Sequence, residues 1–281
     1  MTDSPLVTIV TPSYNQADFL ERTILSVLKQ DYPNIEYIVI DGGSTDGSVD
    51  IIKKYEDRIA FWISEPDNGQ SQAINKGFTR ANGEIFNWLN SDDLLMPSAT
   101  TIAVHYLTTH PEYGMVYGDR VVVNERDQVM ACTELPSFSR FFYKFRSWLP
   151  QETAFFRQEL WAKTGGLDES LHNCMDGNLW LEFLKETDFL HIPFVLGAWR
   201  QHSCAKSFRA FGKYADDEKG FAESRNMRAR HLGRVYRCRH LQKWMRRAGH
   251  FRLFRQKLSK ARKQQISKIN ELISQRHTLV H

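Results

Sequence analysis

The stretch IEYIVIDGGSTDG, residues 35–47, carries the reading of the fold. Its first half is a continuous β-branched and aromatic run, the pattern of a buried strand. Its second half, residues 41–47, is dense in turn formers, so the strand ends on a carboxylate, Asp41, and enters a loop. Upstream, residues 6–11 (LVTIVT) read as another such strand, broken by Pro12, Ser13 and Asn15. Between the two runs Phe19, Leu20, Ile24, Val27 and Leu28 recur at helical spacing, and Asp31 and Pro33 end that helix. Downstream come a helix through Val49, Ile51, Ile52 and Tyr55, a strand at 59–64, a short helix at 71–81 and a strand at 84–89 (EIFNWL), which closes on Asn90-Ser91-Asp92-Asp93. Alternating strands and helices with short connections predict an α/β fold with a doubly wound, mainly parallel sheet flanked by helices. Beyond Pro97 the pattern predicts a helix to about His110, short strands near 114–117 and 120–124, another at 153–156, a helix over 176–185 and a strand over 189–199. From Ala205 the pattern is helical, with no proline after Pro193.

The chain has 281 residues, 42% hydrophobic and 25% charged. That suits one large α/β domain with an appendage and excludes collagen-like, disulfide-scaffold and wholly disordered chains. The net charge of +4 conceals an asymmetry. Residues 226–281 hold 16 Lys and Arg against a single acid, Glu271, a local charge of +15, which leaves −11 on residues 1–225. A polyanion, nucleic acid or anionic membrane, is the partner such a tail implies. Four scattered cysteines, Cys132, Cys174, Cys204 and Cys238, include no C-x-x-C pair, so neither zinc nor a disulfide framework is expected and a reducing cytoplasm is the default. The first residues show no basic stretch followed by an apolar one, and no apolar run nears the ~20 residues of a membrane span.

In open α/β sheets ligands bind beyond the carboxyl ends of the strands. Acids fall there twice: Asp41 after the second strand, Asp92 and Asp93 after the fourth. Adjacent carboxylates in that position hold a hard divalent cation that bridges a diphosphate, or else form a solvated turn capping the next helix.

Six segments in order resemble the inverting family 2 glycosyltransferases of the GT-A fold. They are Thr8-Ile9-Val10-Thr11-Pro12-Ser13-Tyr14-Asn15, the 41–47 loop, Asn68-Gly69 through Asn75-Lys76-Gly77, Asn90-Ser91-Asp92-Asp93, Gly165-Gly166-Leu167-Asp168-Glu169 with Met175-Asp176 and Leu179-Trp180-Leu181, and Arg200-Gln201-His202 with Lys206-Ser207. The resemblance implies a GT-A domain over 1–207, with a donor half to about 95 and an acceptor half from 96, followed by a basic helical region over 208–281. It implies a nucleotide-diphosphate sugar donor bound by Pro12, Tyr14, Asp41, Asn90, Ser91 and Asp92. Mn²⁺ or Mg²⁺ would be held by Asp92 with Asp93 and His202, and Asp176 would act as general base. The family's D-x-D opens here with Asn90, which can accept hydrogen bonds from a ribose or ligate weakly. Gln151, Glu152 and Trp180 are candidate acceptor contacts; Trp148 and Trp199 could stack on sugar rings, and Lys76 and Arg80 could meet phosphate.

In the tail Leu241, Trp244, Met245, Ala248, Phe251, Phe254, Leu258, Ala261, Ile269 and Leu272 recur mostly at steps of three and four, with Lys and Arg between them. Such a helix lies in an anionic membrane interface or packs on the acidic body or a second subunit; nucleic acid ranks last. The expectation is a cytoplasmic enzyme, peripheral on the inner membrane face, acting on a saccharide or lipid-linked acceptor. The alternative is a non-catalytic nucleotide-binding protein with a polyanion-binding tail, for which a general base has no use. A nucleotidyltransferase would need a Gly-rich basic phosphate loop after the first strand, and residues 11–17 offer none.

Overall fold

The computed structural model describes residues 4–135, 137–145, 149–205 and 218–233. The chain runs β1 (Val7–Ser13), α1 (Ala17–Leu28), β2 (Ile35–Asp41), α2 (Ser48–Lys54), β3 (Phe61–Ser64), α3 (Gln70–Thr79) and β4 (Ile85–Trp88). It continues through β5 (Leu94–Leu95), α4 (Ala99–Thr109), β6 (Met115–Val123), β7 (Val129–Thr133), α5 (Arg140–Phe145), β8 (Phe155–Arg157), α6 (Gln158–Thr164), α7 (Met175–Phe183), β9 (Phe189–Arg200) and α8 (Glu218–Leu232). The strands form one nine-stranded sheet in the order β3-β2-β1-β4-β8-β6-β9-β5, with β7 paired to β6.

β1 to β4 are parallel, as the alternation predicts. Their register brings Ser13, Asp41 and Ser64 onto one terminal rung. β1 runs two residues past the Thr11 limit expected from Pro12. There β4 has already ended its pairing at Val10, so Pro12 faces only β2 and its missing N–H costs no ladder bond. The second half mixes directions: β8 is antiparallel to β4 and β6, β5 is antiparallel to β9, and β9 is parallel to β6. The two strands expected near 114–124 are one, β6, whose register with β9 slips at Gly118 and Asp119. A Cβ on Gly118 would come within 2.5 Å of the Phe194 carbonyl and Leu196 Cγ. The slip reads in sequence as a break but in space is a bulge that bends one strand. β5, β7, α5 and α6 escape sequence reading because two to seven residues carry too little periodicity.

The sheet separates two apolar layers. One holds Val10, Ile38, Ile74, Phe86, Trp88, Phe156, Trp180 and Phe183 under α3 and α7; the other holds Ile9, Leu20, Ile24, Val39, Ala103 and Leu107 under α1 and α4. Met227 of α8 belongs to the first layer, so the appendage expected from 208 sends its first described helix into the core. No helix among the described residues is long and apolar enough to cross a membrane.

α3 lies close to β1 because Gly77 has no side chain: a Cβ there would stand 2.4 Å from Val10 Cγ1. Alanine would gain helix propensity of about 1 kcal/mol, but overpacking costs roughly 1–3 kcal/mol and should win. Gly77→Ala is expected to lower stability in denaturant melts, and adding Val10→Ala should recover part of the loss. An additive double variant would show that the contact does not set the approach.

Candidate active site

At the C-terminal edge of β1–β3, Asp41 is fully buried. Oδ2 accepts the amides of Gly43 (3.1 Å) and Ser44 (2.8 Å) and the Ser64 hydroxyl (2.7 Å), while Oδ1 accepts the Ser44 hydroxyl (2.6 Å). The Asx turn that the two glycines suggest is therefore real, and it shapes the loop entrance. Ser13 shares the rung, and its buried hydroxyl has no hydrogen-bond partner among the described residues. Pro12 is buried beside it, whereas the Tyr14 ring is 61% exposed at the mouth. Asn15 takes the left-handed conformation (φ 50°) that asparagine tolerates, and bonds Ser44 and Thr45.

The 90–93 turn after β4 is the centre of the site. His202, buried at the end of β9, sets Nε2 3.0 Å from Asp92 Oδ2, and its ring lies 4.4 Å from that of Phe19. The Asp92 side chain keeps 21% exposure, so it faces both the histidine and the opening. Asp93 is buried and has another task than the ligand role expected of it. Its Oδ1 accepts the Arg200 amide (3.0 Å), and its Oδ2 accepts Asn90 Nδ2 (3.2 Å). Burial, then the charges of Asp92 and Glu152, push the Asp93 carboxyl well above the usual range, against the pull of Arg200. Asn90 likewise faces inward, accepting Gln70 Nε2 at 2.7 Å. Its amide donates where an aspartate would add another charge.

Among the described residues no cluster of three or more His, Cys, Asp and Glu side chains surrounds one point. The partly exposed Asp92 carboxylate and the buried His202 imidazole behind it are the donors that would suit a hard divalent cation with few protein ligands.

Asp176 sits half-buried in the first turn of α7, with Oδ1 2.7 Å from the Gly177 amide. α3 links it to the 90–93 turn: Gln70 holds Asn90, and the next residue, Ser71, bonds Met175 Sδ (2.8 Å) and the Leu171 carbonyl. Asn75 on the same helix clips Leu167 in both directions (2.9 and 3.0 Å) and reaches Glu169, which explains why those two segments accompany one another.

Three acceptor candidates lie elsewhere than expected. Trp180 is core, stacked on Trp88 at 5.3 Å and edge-on to Phe156. Gln151 is buried with Nε2 on the Trp88 carbonyl (2.5 Å), and Glu152 is buried near Arg120 (3.5 Å). Both belong to a one-turn 3-10 helix (Gln151–Thr153) packed beneath the turn, so they support it from within. Trp199 carries the Arg120 guanidinium 4.9 Å above its ring. Lys76 pairs with Glu65 (2.8 Å) and Arg80 covers Phe61 (4.2 Å), lining a cavity of about 570 Å³ with Glu169 and Thr79. Trp148, Lys206, Ser207 and the basic stripe lie outside the described residues.

Sequence reading missed what holds the turn. Arg200, with no exposed surface, donates through Nε (2.9 Å) and Nη2 (2.6 Å) to Asp127 and through Nη1 to the Asp92 carbonyl. Asp127 sits at φ 60° in the β6–β7 turn and also takes Arg22 at 2.9 Å. Thr23 bonds the carbonyls of Ser91 (2.9 Å) and Asp93 (2.8 Å). The only sequence signal was the turn-rich Asn124–Gln128 stretch between two β-branched runs.

Comparison with known proteins agrees with this fold. The glycosyl transferase family 2 model matches residues 8–162, just over half of the chain. An uncharacterized glycosyltransferase of Mycobacterium tuberculosis is 36% identical over 173 residues, which is 60% of this chain and 64% of that protein. One from Rickettsia typhi is 29% identical over 238 residues, 77% of this chain and 70% of that protein. Among solved structures, S. aureus TarS in complex with UDP-GlcNAc superposes with a TM-score of 0.64 at 19% identity, covering 79% of this chain and 65% of that one. The Pyrobaculum calidifontis mannosyltransferase with GDP-Man and Mn²⁺ gives 0.55 at 24%, covering 87% and 65%. The architecture is thus that of the GT-A proteins. The chain belongs to glycosyl transferase family 2.

Removing Asp127 leaves a buried guanidinium unpaired, a loss of roughly 3–5 kcal/mol. Asp127→Ala should show it in denaturant melts, while Glu125→Ala, an exposed neighbour in the same turn, should change stability by less than about 0.5 kcal/mol. Equal effects of the two variants would refute the ion pair's role.

Proposed function

We propose that the protein is an inverting glycosyltransferase that moves a sugar from a nucleotide-diphosphate donor to a hydroxyl of a saccharide or lipid-linked acceptor. The observation that carries this reading is the Asp92–His202 pair, 3.0 Å apart beyond β4, at the same edge of the parallel sheet on which Ser13, Asp41 and Ser64 end together. The nucleoside sits against Pro12, Tyr14 and the Asp41 loop. The partnerless Ser13 hydroxyl supports a ligand there, and the Ser44 hydroxyl can yield its place on Asp41 to a base N–H or ribose O–H. Ser91, buried in the turn, keeps the backbone close to the phosphates.

Asp92 and His202 are the residues that would hold Mn²⁺ or Mg²⁺. When bound, the cation supplies Lewis-acid stabilisation of the nucleoside diphosphate as it leaves. Asp176, in the first turn of α7, takes the acceptor proton as general base. One base and one displacement invert the anomeric centre, so an α-linked donor gives a β-linked product. The basic, aromatic-striped region beyond α8 would keep the enzyme on an anionic membrane near a lipid-linked acceptor. The names of similar proteins fit a surface-polysaccharide role: a B. subtilis protein matched at 45% over 92 residues is a putative teichuronic acid biosynthesis glycosyltransferase.

A panel of nucleotide sugars, with and without Mn²⁺ or Mg²⁺, should reveal one donor that raises the melting temperature and releases nucleoside diphosphate. Asp176→Asn should keep donor binding and lose transfer by at least about 10²-fold. Transfer near the wild-type rate would refute the base assignment, and binding without any transfer by the wild type would favour a non-catalytic nucleotide-binding role. His202→Ala should raise the cation concentration needed for half-maximal activity; an unchanged requirement would remove His202 from the cation site.

A further inference from the structure

α8 approaches the site from behind α7. Glu223 directs one oxygen, Oε1, at three successive backbone amides, His172 (3.1 Å), Asn173 (2.8 Å) and Cys174 (3.1 Å), and at Cys174 Sγ (3.1 Å). These residues form the turn that leads into α7, and Asp176 follows two residues later. Cys174, at the N-cap position of α7, makes no side-chain cap bond of its own. The negative end of that cap therefore comes in trans, from a helix some fifty residues further along the chain, where the helix dipole favours an anion. Burial pushes the Glu223 carboxyl up, but the donated bonds outweigh it and hold the group below the usual carboxylate range.

α8 is held in register to do this. The side chain of Met227 is buried in the core layer. Arg228, buried, donates to the carbonyls of Tyr143 (3.2 Å) and Lys144 (2.6 Å) at the C-terminal end of α5. His231 reaches Asn178 (2.9 Å) and Glu182 (3.6 Å) on α7. One helix thus presents an acid to a helix start and a base to a helix end, each matching the local dipole.

We propose that Glu223 is a positioning residue for glycosyl transfer: it fixes the 172–174 turn and so sets the reach of Asp176 towards the acceptor hydroxyl. The proposal rests on Asp176 being the base. Among the described residues Glu223 makes its hydrogen bonds to the 172–174 turn and none to the 41–44 loop or the 90–93 turn, so its removal should act on turnover before donor binding, because transfer depends on placing a carboxylate to within a fraction of an ångström.

The full-length chain is assayed with its donor and acceptor, separating donor affinity from turnover. Glu223→Ala should lower kcat by about 10-fold or more, since misplacement by about 1 Å costs up to 10²-fold, with donor Kd unchanged within about twofold. Glu223→Gln keeps the amide-accepting oxygen and should recover most of the turnover. Arg230→Ala, which removes only an exposed 3.7 Å contact to Asp168, should leave turnover unchanged. Wild-type kcat in Glu223→Ala, or kcat and donor affinity falling together, would overturn the proposal. If Glu223→Ala does not fold, Glu223→Asp decides: it withdraws the oxygen by one methylene, so reduced kcat at unchanged donor Kd supports the role and unchanged kcat overturns it. Asp176→Asn in parallel separates the two ideas. A dead Asp176→Asn beside a normal Glu223→Ala sinks only the role of Glu223, whereas an active Asp176→Asn sinks the base assignment itself.

Discussion

Arg200 is a guanidinium with no solvent exposure, and the geometry of the site hangs on how it is satisfied. A buried charge of this kind is tolerated only when its donors meet well-placed acceptors. Here they are Asp127 from the β6–β7 turn and the Asp92 carbonyl from the turn after β4. The Arg200 amide holds Asp93, and two residues on, His202 reaches Asp92. A strand that ends the second half of the sheet thereby locks the turn that ends the first half. Phe19 closes the arrangement, with Arg200 over its ring at 5.0 Å and His202 against it.

That locking concentrates negative charge. Asp92, Asp93 and Glu152 lie near enough that burial and mutual repulsion push the Asp93 carboxyl up. The chain limits the repulsion in two ways. Asn90, in place of a further aspartate, donates its amide to Asp93, and Arg120 stands at Glu152 with its plane over Trp199. What repulsion remains favours a cation at Asp92, the one acid of the turn that faces the opening.

The charge split along the chain also takes a structural form. α8 opens the part read from sequence as a basic appendage, yet it contributes an acid, Glu223, to the turn before Asp176 and a base, Arg228, to the end of α5. The helix packs as part of the sheet domain, with Met227 in the same core layer as Trp180.

By itself the sequence determined the parallel half of the sheet and the places where its chemistry gathers. Apolar runs of β-branched residues ending on Asp41 and on Asn90–Asp93 dictate strands that stop at carboxylates, and the order of these local patterns survives any tertiary arrangement. The motifs that flank Asp92, His202 and Asp176 are local and so could be read, and the first two side chains do meet, 3.0 Å apart. Tertiary structure alone decided which way each side chain turned. Asp92 and Asp93 are neighbours in sequence, yet one faces the opening and the other a backbone amide of β9. Trp180 went to the core, and Gln151 and Glu152 went beneath the turn, because helix packing consumed the surfaces that a sugar would have needed. The sequence around Asp127 signals no more than a turn and that around Glu223 nothing, since each acts on partners dozens of residues away in the chain, and only the folded sheet brings their charges to a buried guanidinium and an uncapped helix start.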